Sequence, residues 1–199
     1  MPRQSKMQRE GKEQHLLDAA YKLFLGKGVW KTSVDEIVRE ADVAKGTFYL
    51  YFRNKEDLLQ KLVDRICTRI LTEAYEHTRR NLSPDFAENV VTMVDYIVEY
   101  FKYNKVQLRL IERNFSWPTV RRALTDQSDR TDPVWRALAQ DLANSPLAGR
   151  CTEDEMFKII FVLVEMCGSV CYSSIIEGRP DTIDNMKPVL YRIIRQSLA

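Results

Sequence analysis

Leu16, Ala20, Leu23 and Phe24 recur at three- and four-residue intervals, the stripe of an amphipathic helix that is followed by Gly28. Between Lys31 and Leu59 the pattern breaks into two short helices joined by a tight turn, with a third helix start behind them. Ser33 and Glu36 have the spacing of a capping box, so a helix is predicted from Ser33 or Val34, with Val34, Ile37, Val38 and Ala41 on one stripe. Asp42 tolerates the left-handed backbone a tight turn needs, and Val43 is the turn's apolar anchor. A second helix is predicted from about Ala44 to Leu50. It turns Phe48 inward, leaves Lys45, Thr47 and Tyr49 outward, and is followed by Phe52 as a core plug. Asn54 and Asp57 mark the third start, which puts Lys55 in a first helical turn. A cation there opposes the helix dipole but suits an anion docked on the free amides. Two short helices across a tight turn are the grammar of a DNA-reading helix-turn-helix.

Beyond residue 60 the chain reads as further helices. The third start extends to about Arg80, with Leu58, Leu59, Leu62, Val63, Ile66 and Ile70 on one stripe, long enough to leave the first domain. Ser83 followed by Pro84 reads as a cap and an N1 proline for a helix from Asp85 to about Tyr103. Shorter helices are predicted at 106–115, 119–127 and 133–143, and a loop at 144–149. Thr152 and Glu155 form another capping box, opening an apolar helix that Gly178 and Pro180 close. The last helix starts near 182–184 and accommodates Pro188 early. Both closing helices are apolar on more than one face, which calls for a second partner such as another subunit. Ile160, Val164, Cys171, Ile175, Leu190, Ile193 and Ile194 are the candidate contacts. The predicted class is all-α, with a helix-turn-helix domain over 1–60 and a second helical domain over 61–199 whose closing helices call for dimerisation.

Charge adds direction to this picture. The net charge is only +2 over 199 residues, but residues 1–31 hold seven Lys and Arg against three acids. Arg3, Lys6 and Arg9 read as a flexible basic arm able to follow phosphates or the minor groove. No uninterrupted apolar run approaches a bilayer's thickness and no secretory signal is visible, so a cytoplasmic protein is expected. Cys67, Cys151, Cys167 and Cys171 lack a CxxC pair, and two histidines, His15 and His77, make no metal spacing. Without a phosphate-cradling glycine loop or a nucleophile elbow, no catalysis, cofactor or metal is implied.

The run Leu16, Ala20, Leu23, Phe24, Gly28, Thr32-Ser33, Ile37, Ala41, Val43, Lys45-Gly46-Thr47, Tyr49, Tyr51-Phe52, Lys55-Glu56 and Leu58-Leu59 resembles the DNA-binding domain of the TetR family of bacterial transcriptional regulators. The resemblance covers roughly residues 10–60. It implies that Lys45, Gly46, Thr47 and Tyr49 face the major groove or its flanking phosphates, and that Thr32, Ser33, Tyr51 and Lys55 hold the backbone. It further implies a homodimer built from the last two helices, a palindromic double-stranded operator, and a small-molecule effector that releases the DNA. Asp42 stands where the family has a turn glycine and Ala44 where it has a hydroxyl cap, so amides at the second helix need water or phosphate instead. For the effector, Tyr96, Tyr100, Tyr103, Arg109, Glu112, Arg113, Trp117, Trp135, Met166 and Tyr172 supply aromatic walls and polar fixers of the kind small-molecule pockets use. A competing expectation is a helical ligand-sensing or protein-interaction module that binds no specific DNA.

Overall fold

The computed structural model describes the backbone of residues 2–112, 114–115, 117–125 and 132–198, with side chains from residue 11 onward in those ranges except at 119, 122 and 123. Every regular element among them is helical: α1 (Pro2–Lys27), α2 (Val34–Glu40), α3 (Lys45–Tyr51), α4 (Lys55–Arg80), α5 (Phe86–Tyr103), α6 (Lys105–Glu112), α7 (Trp117–Thr125), α8 (Pro133–Ala143), α9 (Glu153–Tyr172) and α10 (Ile183–Leu198). Two compact units divide the chain between Arg65 and Ile66, inside α4. Because α1 begins at Pro2, the backbone carrying Arg3, Lys6 and Arg9 is helical where a flexible arm was expected. Those three side chains lie outside the described residues.

The first unit packs α1, α2, α3 and the start of α4 around Leu16, Ala20, Phe24, Ile37, Phe48, Phe52, Leu58 and Leu62, each at most 3% exposed. The Phe48 and Phe52 rings lie 5.5 Å apart, and truncating a buried phenylalanine of this kind costs about 3–5 kcal/mol. Salt bridges fasten the outside: Lys61 to Glu13 at 3.0 Å and Arg65 to Asp18 at 2.8 Å join α4 to α1, and Lys22 to Glu40 at 2.5 Å joins α1 to α2.

The second unit takes α4 from Ile66 onward together with α5 to α10. Its central cluster is Ala87, Val91, Leu147, Leu163, Leu190, Ile194 and Leu198. Asp85, not Ser83, caps α5: its carboxylate accepts from the Ala87 amide at 2.8 Å, while the Ser83 hydroxyl accepts from the Asp85 amide. The carboxylate reaches the second amide of the helix directly, which leaves Pro84 in the approach to it. A charged seam runs between α5 and α10, where Lys187 lies between Asp95, at 2.7 Å, and Glu99, and Tyr191 donates to Asp95 at 2.6 Å. Tyr75 and Trp135 tie α4 to α8 through Asp141 and Thr68.

The capping box of Thr152 and Glu155 opens α9, as its spacing predicts. A π turn over Ser173–Glu177 prolongs the helix until Gly178, whose φ of 70° is the left-handed closure a side chain would resist. Among the described residues the stretch 153–177 is the one helix long and apolar enough to cross a membrane by length and composition, although Lys158 and Glu165 interrupt it. Glu165 and small residues dilute the apolar run in the sequence, and the π turn adds its last residues to the helix.

Candidate nucleic-acid interface

The turn between α2 and α3 is built as a helix-terminating motif. Val43 donates its amide to Val38 O at 3.0 Å and Asp42 to Arg39 O at 3.3 Å, with Asp42 at φ 52°. This six-to-one and five-to-two pairing is normally closed by glycine, and Asp42 occupies the left-handed position instead. On the entry side, Ser33 and Glu36 bond reciprocally, and Lys27 pairs with the same Glu36 carboxylate. The Lys27 bond, then the Ser33 amide and hydroxyl, pull Glu36 down to a pKa of about 2. The orientation of α2 against α1 is thereby fixed at its first turn.

Phe48, fully buried, holds α3 by one side and leaves the other to solvent. Lys45 and Gly46 are exposed, Tyr49 is 54% exposed, and Thr47 is half-buried. Ala44 makes no side-chain cap, as its methyl group dictates. A Cβ built on Gly46 would meet nothing within 4 Å, so packing inside the unit does not explain the glycine. Lys45 Nζ lies 2.8 Å from Asp35 Oδ1 of α2, and this carboxylate holds the ammonium above its ordinary pKa. Tyr49 is close enough to act electrostatically on the same lysine.

Four residues were expected to hold a nucleic-acid backbone, and they fall into two groups. Ser33 is exposed, but Thr32 is 2% exposed and donates its hydroxyl to Gly28 O at 2.9 Å. Thr32 therefore shapes the α1–α2 loop, with its hydroxyl proton committed to that carbonyl. Tyr51 is half-buried beside Phe52. Lys55 donates to Val29 O at 3.1 Å and Thr32 O at 3.0 Å, so two of its three donors hold the loop and one is left for an anion. The start of α4 is capped by Asn54, which accepts from the Asp57 amide, while Asp57 reaches back to the Arg53 amide. Trp30, 85% exposed, with the Lys55 ammonium 5.9 Å from its ring centroid, and Asp35 were not among the expected contacts. A tryptophan between Gly28 and the Ser33 cap, off any helical stripe, was the available signal.

In the second unit the expected pocket residues differ in burial and in partners. Tyr103 is 83% exposed, and Arg109 and Glu112 also face solvent, because Leu108, Leu110 and Ile111 take the inner side of α6. Tyr100 bonds Gln107 and Arg69, Tyr96 bonds Glu73, and Trp135 bonds Thr68. Trp117 bonds Glu165 among the rings of Phe115, Phe157 and Phe161. Met166 packs on the central cluster, Tyr172 is half-buried, and Arg113 lies outside the described residues.

The expected subunit contacts differ in how far the chain itself buries them. Cys171, Ile175, Leu190 and Ile194 are 8% exposed or less, consumed by the chain's own core. Ile160 is half-buried, whereas Val164 and Ile193 are each 39% exposed. Phe161, Val162 and Val189 join them on the outside, with Val162 at 60%. The apolar excess was legible, but two greasy faces on one helix look alike until one of them is filled.

Residues 16–62 match the sequence profile of the bacterial regulatory proteins of the tetR family. The uncharacterized HTH-type transcriptional regulator YhgD of Bacillus subtilis is 33% identical over 101 residues, covering 50% of this chain and 51% of that protein. The chain spans about half, or less, of the length of the curated relatives it matches first. A TetR-family transcriptional regulator from Streptomyces coelicolor superposes with a TM-score of 0.65 at 19% identity, covering 96% of this chain and 97% of that one. FadR of Bacillus subtilis, solved in complex with stearoyl-CoA, gives 0.57 at 15% identity, covering 94% and 99%. These solved structures establish a shared fold.

Proposed function

We propose that this chain, which belongs to the TetR family of bacterial regulatory proteins, is a DNA-binding transcriptional regulator that reads double-stranded DNA with α3. The carrying observation is the outer side of α3: Lys45, Gly46 and Tyr49 stand exposed together on a helix that buried Phe48 fixes from behind. A cation and a phenol supply phosphate and base-edge contacts, and the glycine allows close approach. Ser33, Tyr51, Thr47 and the remaining donor of Lys55 complete the surface, with Thr32 in a supporting place.

The working form is a homodimer in the cytoplasm. Phe161, Val162 and Val164 of α9, with Val189 and Ile193 of α10, supply an outward apolar surface that a second copy would cover. Two heads related by a two-fold axis match a palindromic operator when their half-sites lie about 34–36 Å apart. A small-molecule effector that favours another spacing releases the DNA in proportion to its differential affinity for the two states. The complex of FadR with stearoyl-CoA supports a small-molecule effector on this fold. Promoter occlusion by such a dimer makes the protein a repressor.

Anisotropy titration of the intact protein with DNA from upstream of its own coding region, against a random duplex, tests this reading. Tight specific binding that Tyr49→Ala or Lys45→Ala weakens supports it. Binding no better than to random duplex returns the chain to a helical ligand-sensing or interaction module.

A further inference from the structure

We infer that Asp35 is a charge gate on the reading helix, competing with DNA for the ammonium of Lys45. The inference rests on the DNA-binding reading and adds to it a residue that opposes binding. In the unbound protein Lys45 Nζ sits 2.8 Å from Asp35 Oδ1, across the turn that joins α2 to α3. The side chains are 55% and 62% exposed, so no packing locks the pair, and either partner can exchange the other for an outside ion. A phosphate reaching Lys45 must arrive beside a carboxylate that already holds the ammonium and repels the incoming charge.

The surroundings explain why the carboxylate matters at this point. The caps of the unit already occupy the neighbouring acid: Glu36 is bonded to Ser33 and Lys27. Among the described residues Asp35 bonds no backbone amide in this way, and it pairs with the lysine of α3. On α3 itself no acid lies in the first turn. Non-specific attraction of a protein to a duplex comes almost entirely from its cations facing phosphates. With Lys45 held by Asp35, the reading helix presents its one cation already neutralised. Any duplex gains less from Lys45 while Asp35 stays beside it, and Gly46, Thr47 and Tyr49 supply the added contacts that offset this at a matching sequence.

A double-mutant cycle of Asp35→Asn and Lys45→Met in the full chain tests the gate. Each protein is titrated by anisotropy against the upstream duplex and the random duplex at one moderate salt concentration, with circular dichroism verifying its fold. Asp35→Asn is expected to tighten both complexes about two- to fivefold, the range of an exposed ion pair. With Lys45→Met already in place the same change is expected to have little effect, and Asp35→Glu is expected to stay near the unsubstituted protein. Equal gains with and without Lys45 would reduce Asp35 to general repulsion and overturn the gate. Weaker binding by Asp35→Asn would make the carboxylate an orienting partner, the opposite role. A wild-type chain that binds neither duplex overturns the DNA-binding reading, and the gate with it.

Discussion

At the scale of single residues, Glu36 links stability to pH. Its carboxylate has a pKa of about 2 in the fold against an ordinary 4.5, because Lys27 and Ser33 bond the charged form. A depressed acid contributes fully above its unfolded value and loses that contribution as pH falls toward the folded one. The first unit is therefore expected to lose stability between about pH 4.5 and pH 2, and Glu36→Gln to flatten that part of the curve. Acid titration followed by circular dichroism measures it, and identical profiles for the two proteins would contradict the assignment. Glu36 was legible in sequence because a capping box is local, three residues wide. Lys55 and Thr32 were not: their partners, Val29 O and Gly28 O, are backbone carbonyls that no residue pattern announces. Asp42 lies between, since its identity pointed to a left-handed turn and the observed φ of 52° agrees.

Among the elements, α3 separates folding from function most cleanly. Its inner side depends on Phe48, and its outer side carries a glycine with open space around it. Gly46→Ala is expected to raise the stability of the unit by up to about 1 kcal/mol, as alanine does in helices. The same methyl is expected to weaken DNA binding about tenfold, because it stands where the duplex must come close. Thermal melts and anisotropy on one preparation decide the matter, and unchanged affinity would remove Gly46 from the interface. The helix starts at Ser33 and Thr152 were readable because caps and stripes are short-range signals. The cap of α5 was misassigned to Ser83 because Ser-Pro and Asp offer competing caps two residues apart, and only the carboxylate's bond to Ala87 decides between them.

For the whole molecule the decisive surface is the outward side of α9 and α10. On the proposed dimer reading, Val162→Glu together with Ile193→Glu is expected to shift the protein from dimer to monomer and to weaken operator binding strongly, while the helical spectrum stays unchanged. Sedimentation equilibrium reads the mass, and a dimer that survives both charges would place the interface elsewhere. The sequence could say that these helices carry more apolar surface than one core needs, but not which side the core would take. That choice depends on where α5 lies, since its packing with α10 buries Leu190 and Ile194 and leaves Val189 and Ile193 outside. Burial has a practical consequence for the thiols of Cys167 and Cys171, both pushed up to about 12 by loss of solvent. At neutral pH neither offers a reactive thiolate while α9 stays packed. All four cysteines lie beyond residue 65, in the second unit. Labelling at Cys167 and Cys171 should then time the opening of that unit and stay silent when the first unit alone opens.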